Sequence, residues 1–378
     1  MKLGVDLSIV DELERKNPVF FVNGKEIEPF SYFGKVNGIS LCRLRLWVDP
    51  YDEKGNPYGG GTNDLPAFLR LAKRAKDAGM AILLDIHYSD FWVDPSRQIL
   101  PKAWRGKSYG EVVEAMHDYT LETLKTIREE GIDLYAIQVG NEITNGMVFP
   151  FGQSWIPYEE GKGGGYEGLA TLLKAGLSAC KEVYPNAKRV LHLEHPASFD
   201  IQDKWLSEVT SRGVEFEVLG ESYYPYWHGA LPKLKQSLSA LMDKYHKPVW
   251  IVEAGYEFSP EPGRESHEGI DYFKEEEFVV GDLNGRVPFP PTKQGQAAYL
   301  RYLIRLCMDM GVEALFYWEP TWAEKEDAGW AKAAGQRYCG LEPGPNGNPW
   351  SREILFDERG NANPALDVFS EAYLKSLE

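Results

Sequence analysis

The sequence predicts an α/β fold, a single (β/α)8 TIM barrel over residues 1–378 with long loops after strands 7 and 8. Three observations lead there. Short apolar runs of strand length alternate with stretches of helical periodicity along the whole chain. The runs number eight, and most stop abruptly at charged, amide or aromatic residues rather than fading into loop. No linker or shift in composition divides the chain, and barrels of this type accommodate such a length as one domain. An open doubly wound sheet is the competing architecture, but no glycine fingerprint follows the first strand.

The first strand covers residues 3–7 and ends near Asp6 and Ser8. An irregular stretch with a turn at Asn23-Gly24 leads to the second, 40–47, where Arg43 and Arg45 alternate with Leu44 and Leu46 and so share a face. The glycine loop Gly59-Gly60-Gly61 precedes a helix opened by Asn63 or Asp64, with Pro66 just inside, and closed at Gly79. No Lys-Ser/Thr follows those glycines, so the loop does not read as a phosphate cradle. The third strand, 81–87, is followed by Tyr88-Ser89-Asp90-Phe91-Trp92, then by a helix over about 109–130 with Val112, Met116, Leu124 and Ile127 on its buried face. The fourth, from Tyr135 to Val139, runs into Gly140-Asn141-Glu142. A helix near 166–183 leads to the fifth strand, 189–194, and the sixth, 216–220, runs on to Tyr223-Tyr224-Pro225-Tyr226-Trp227-His228. A helix near 234–245 precedes the seventh, 248–252, which ends at Glu253. A long acidic loop, 254–292, and a helix near 294–310 lead to the eighth, 312–318; a second long loop carries Trp322, Trp330 and Trp350 before a closing helix near 365–377.

Composition narrows the partners. A formal charge of −16 disfavours nucleic acid and anionic membrane, both of which reward a surplus of Lys and Arg. The four cysteines, Cys42, Cys180, Cys307 and Cys339, have no CxxC spacing and read as buried thiols rather than a zinc site. No apolar run spans a bilayer. The first ten residues already read as a strand rather than a signal peptide, so an extracellular location requires that a leader was removed.

In a barrel, the ends of the strands converge on one rim. That rim collects Asp6, Arg45, His87, Asn141 with Glu142, His192 with Glu194, Tyr223 with Tyr224, Glu253, and Trp318 with Glu319. Glu142 and Glu253 follow strands four and seven, across the mouth from each other. Glycoside hydrolysis uses such a pair, one acid to protonate the leaving oxygen and one carboxylate to attack, about 5 to 5.5 Å apart in retaining enzymes. Asn141 can hold a sugar hydroxyl, Arg45 can pair with Glu253, and Tyr223 or Tyr224 can donate to the same carboxylate. His87 and His192, with Glu194, could instead ligate a metal, but polar wall residues that bind hydroxyls are the simpler account, and no metal site is expected.

Several motifs together resemble the arabinogalactan endo-β-1,4-galactanases, glycoside hydrolase family 53. They are Gly4-Val5-Asp6-Leu7-Ser8, Arg43-Leu44-Arg45-Leu46-Trp47-Val48-Asp49-Pro50, His87-Tyr88-Ser89-Asp90-Phe91-Trp92, Gly140-Asn141-Glu142, Tyr223-Tyr224-Pro225-Tyr226-Trp227-His228-Gly229 and Tyr317-Trp318-Glu319-Pro320. The resemblance implies a retaining barrel enzyme with Glu142 as acid/base and Glu253 as nucleophile. It also implies Trp318 as the floor under the sugar at the cleavage point and Asp90, Trp92 and Trp227 as groove wall. With Asp6, Arg45, His87, Asn141, His192, Tyr223 and Tyr224 these make up the expected substrate-binding set. Two departures stand out: Ala254-Gly255-Tyr256 follows Glu253 where a small hydroxyl residue is commoner, and the next loop lacks the Asp/His/Asn run that holds calcium in many bacterial members. The expectation is therefore a monomeric endo-galactanase acting on β-1,4-galactan, needing no cofactor and with structural calcium unsupported. A mannanase or cellulase, or a non-catalytic galactan-binding relative, is the alternative.

Overall fold

Strands buried on both faces need apolar cover inside and out, and parallel pairing with crossover helices supplies it. The structure, a computed structural model, describes residues 1–259, 279–282 and 285–378, with backbone alone for 279–282 and 285–288. Its strands are β1 (Lys2–Asp6), β2 (Leu41–Leu46), β3 (Ala81–Ile86), β4 (Leu134–Val139), β5 (Lys188–Leu193), β6 (Val218–Tyr223), β7 (Val249–Ala254) and β8 (Ala314–Tyr317). They follow one another in chain order around a closed parallel barrel, and β8 pairs back onto β1 with Lys2 opposite Ala314. The expected (β/α)8 barrel is the observed fold.

The lower barrel is filled by Leu41, Leu83, Ala136, Val190, Val218, Trp250 and Phe316. Trp250 stacks on Tyr135 with ring centres 5.7 Å apart. Phe316 occupies the space beside Gly4, where a Cβ would lie 2.3 Å from its ring, so β1 needs glycine there. This plug closes the bottom and leaves polar side chains only for the upper layers.

Outside lie α1 (Leu65–Asp77), α2 (Tyr109–Glu129), α3 (Gly165–Val183), α4 (Phe199–Ser211), α5 (Leu231–Tyr245) and α6 (Lys293–Met310). Asp64 caps α1 by accepting from the Ala67 amide at 2.8 Å, with Pro66 in the first turn. Ser108 and Glu111 form a capping box on α2.

Several boundaries differ from the sequence expectation. Helix α4 has no counterpart there, because its buried stripe, Gln202, Trp205, Leu206 and Val209, is narrow and begins with an amide. The sixth strand runs from Val218 through Tyr223 rather than over 216–220, which brings Ser222 inside it. The irregular stretch before β2 contains a hairpin, Phe20–Val22 with Lys25–Ile27, and a helical turn continued by a π-helix over Tyr32–Val36. The closing helix is two short ones, Pro364–Val368 and Glu371–Lys375. Of the long loop after β7, Val279–Asp282 and Gly285–Pro288 pair antiparallel, and residues 260–278 lie outside the described residues. All four cysteines are free thiols. Among the described residues no helix is long and apolar enough to cross a membrane.

Candidate active site

Alternation on β2 sends Arg43 and Arg45 into the upper barrel, where neither meets water. A buried guanidinium must be matched by anions. Arg43 Nη1 lies 2.9 Å from Asp6 Oδ2, and its Nη2 lies 2.8 Å from Asp85 Oδ2 and 2.9 Å from Glu253 Oε1. It also donates to Gln138 Oε1 (3.2 Å) and Asn141 Oδ1 (2.9 Å), so one side chain ties β1, β2, β3, β4 and β7 together. The partner of Glu253 is thus Arg43 and not Arg45, which the sequence had suggested. Arg45 sits one layer higher, 2.7 Å from Glu319 Oε1 and 4.3 Å over the Trp92 ring.

Glu253 enters the cleft because β7 is irregular. Glu221 pairs with Ile251 but Ser222 pairs with Glu253, so Val252 is an extra residue. Trp250 and Val252 both belong to the interior cluster, and strict alternation would then turn Glu253 outward. The bulge returns its carboxylate to the inside. There Tyr224 Oη donates to Oε2 at 3.1 Å while Arg43 holds Oε1. Burial pushes the acid up and Arg43 pulls it down, with the balance at about 7.

Glu142 stands beyond β4 in left-handed backbone (φ 49°), a conformation non-glycine residues adopt at a cost. Its amide reaches His192 Nδ1 at 3.4 Å, and its side chain bonds the Ser222 hydroxyl. Burial, then the negative charges of Glu253 and Glu194, push its carboxyl well above the usual carboxylate range. These surroundings favour the proton on Glu142, and the two donors on Glu253 favour its charge.

The histidines support this frame. His87 Nε2 lies 2.9 Å from Asp85 Oδ2, and its Nδ1 accepts from Trp47 Nε1 at 3.1 Å. His192 Nε2 lies 2.8 Å from Ser222 Oγ, and its Nδ1 faces the Gln138 amide at 3.1 Å. Burial lowers both imidazoles, which keeps them neutral. Both nitrogens of each ring are engaged, which leaves neither a lone pair for a metal. Among the described residues no group of three or more His, Cys, Asp or Glu is placed to hold one.

The cleft above this layer has a volume of about 580 Å³. Arg45, His87, Trp92, Asn141, Tyr224, Trp227 and Trp318 line it along with Glu142 and Glu253. Trp92 and Trp318 pack at 6.3 Å in one wall with Trp350, and Trp227 stands 54% exposed. Four residues of the expected binding set do not reach the wall. Asp6 is spent between the two arginines. Asp90 accepts from the Lys102 amide at 2.7 Å and shapes its loop. His192 lies beneath Asn141 and Ser222. Tyr223 points outward, away from the barrel axis, and donates to the Gly229 carbonyl. These are corrections, and strand depth and alternation explain them. Sequence reasoning also passed over Asp85, whose signal was its position facing the arginines. It passed over Ser222, hidden by the misplaced sixth strand, and over the wall residues Asp94, Arg97, His195 and Glu353.

Two carboxylates at the ends of β4 and β7, in an aromatic cleft at the C-terminal mouth of a parallel barrel, define the class as a barrel glycoside hydrolase. The model of glycosyl hydrolase family 53 matches residues 2–369, and the chain belongs to that family. It is 32% identical to an endo-β-1,4-galactanase of Bacillus subtilis, over 98% of this chain and 85% of the relative. It is 31% identical to an arabinogalactan endo-β-1,4-galactanase of Cellvibrio japonicus, over 100% of this chain and 92% of the relative. A solved GH53 catalytic domain from Ignisphaera aggregans superposes with a TM-score of 0.81 at 34% identity, covering 97% of this chain and 94% of that one.

Proposed function

We propose that this enzyme is a retaining endo-β-1,4-galactanase, in which Glu142 is the acid/base and Glu253 the nucleophile. The observation that carries the assignment is the different set of partners around the two acids in one cleft. Burial and the neighbouring carboxylates favour the protonated form of Glu142, whereas Arg43 and Tyr224 take the two oxygens of Glu253 and favour its charge. Glu142 donates its proton to the glycosidic oxygen as a Glu253 oxygen attacks the anomeric carbon, and the leaving chain departs with its oxygen protonated. The bond to Glu253 relieves repulsion on Glu142, which can then act as base and take a proton from the attacking water. Each half-reaction inverts the anomeric centre, so the product keeps the β configuration.

The substrate is β-1,4-galactan, the chemistry named for the relatives. An aromatic wall of Trp92, Trp318 and Trp350 suits the apolar faces of pyranose rings. Arg45, His87, Asn141 and Trp227 supply the polar and outer contacts. The whole chain, 1–378, serves as one catalytic domain without cofactor or calcium, as a monomer that binds neither nucleic acid nor membrane. Its place of work is outside the cell, since the polymer does not enter.

The test is product analysis on purified galactan, mannan and cellulose. Galactan alone should be opened internally, and proton NMR of early products should show the β-anomer first. Glu142→Ala and Glu253→Ala should each lower turnover by orders of magnitude. Near-normal activity in either variant, or opening of a different polymer, overturns the assignment.

A further inference from the structure

Glu194 is a carboxylate that the reaction above leaves unused. It stands just past β5, lines the cleft, and is only 2% exposed. Its backbone is well held, since Gln202 Nε2 donates to its carbonyl at 2.7 Å. Its carboxylate makes no close hydrogen bond, and the donors that face it are the Thr144 hydroxyl, the Thr144 amide and its own amide. The Nε2 of His195 comes no closer than 3.7 Å to Oε1. Behind it Glu221, also buried, accepts from Gln202 Nε2 at 3.1 Å. A buried acid that makes no close hydrogen bond is costly, so a structural role accounts poorly for Glu194. An acid on a well-held backbone, without a close hydrogen bond and on a cleft wall, is placed to receive a donor from a bound ligand. In a sugar cleft that donor is a hydroxyl.

Position identifies which sugar. Glu194 follows β5, which pairs with β4, the strand of the acid, and its charge acts on Glu142. The groups acting on Glu253 are instead Arg43, Asp85, Asp6 and Tyr224. Glu194 therefore stands beside the acid, one strand over, with β6 between its strand and that of the nucleophile. The acid meets the departing oxygen, and the unit beside it is the one that leaves.

We propose that Glu194 accepts a hydroxyl hydrogen bond from the leaving-group sugar and so sets specificity on that side of the scissile bond. This rests on the roles given above to Glu142 and Glu253. Two substrates separate it from a structural role: galactan, and an aryl β-galactobioside whose aryl ring replaces the leaving sugar and carries no hydroxyls. Glu194→Ala and the isosteric Glu194→Gln, each checked by thermal melt, are compared on both. The expected result is a fall in kcat/KM of about tenfold or more on galactan, with the aryl substrate, a nitrophenyl glycoside whose phenolate departs without a proton from Glu142, changed by less than about twofold. Equal losses on both substrates, or no loss on galactan, overturn the proposal. If the wild type opens another polymer instead, the galactanase assignment fails separately. The same contrast, run with that polymer and its aryl glycoside, still decides the role of Glu194.

Discussion

Arg43 and Tyr224 each take one oxygen of Glu253, and the two contacts are not equivalent. Arg43 also neutralises Asp6 and Asp85, so its removal would strand three buried carboxylates and endanger the fold. Tyr224 offers a cleaner probe, because its hydroxyl bonds Glu253 at the cleft wall. Tyr224→Phe removes a hydrogen bond to a charged group, a contact of about 1.5–3 kcal/mol. The expected outcome is a fall in kcat of about tenfold or more. The nucleophile must be ionised, so activity is lost as pH falls through its pKa, about 7. Without the donor that pKa rises, and the acidic limb of the kcat/KM profile moves to higher pH. An unmoved limb would mean that the tyrosine does not act through the nucleophile.

At the scale of elements, loops that look passive fix the aromatic wall. Gly60 has φ of 60°, and a Cβ there would lie 2.6 Å from the Trp330 carbonyl and 2.7 Å from Trp92 Nε1. The glycine loop after β2 thus exists to let two tryptophan-bearing loops close over it, with Trp92 Nε1 donating to the Trp330 carbonyl at 2.9 Å. Gly60→Ala should displace Trp92 and raise KM for galactan several-fold while kcat changes less. Steady-state kinetics on soluble galactan measures the split. A loss confined to kcat would place the effect on the catalytic pair instead.

For the whole molecule, the clustering of acids on the barrel axis has a cost in stability. A carboxyl raised above its ordinary value binds more protons folded than unfolded. It therefore subtracts stability as pH rises above the unfolded value and until the folded pKa is reached. Glu142 is such a group. Glu142→Gln keeps the shape, removes the ionisation, and should raise Tm over the wild type. The gain should grow between pH 5 and pH 8, as thermal melts at the two values would show. A gain independent of pH would mean that the acid is not held protonated in the folded chain. Sites that trade stability for reactivity behave in this way.

Much of this molecule is legible from its chain because burial leaves a local signature. Strands covered on both faces must be continuously apolar, and their abrupt ends at Asn141-Glu142 and Glu253 mark where the barrel opens. Helix α4 and the limits of β6 were less legible, since a narrow buried stripe resembles loop and a two-residue shift leaves the hydrophobic run unchanged. What only the tertiary structure decided was which side chains meet. Arg43 rather than Arg45 reaches Glu253 because depth along β2 sets the layer. Glu253 faces inward because a bulge, invisible in composition, reverses alternation at Val252. Tyr224 rather than Tyr223 enters the cleft because alternation along β6 turns Tyr223 outward. Periodicity reports that a residue is covered, but partners across a barrel are fixed by register, which is a property of the closed sheet.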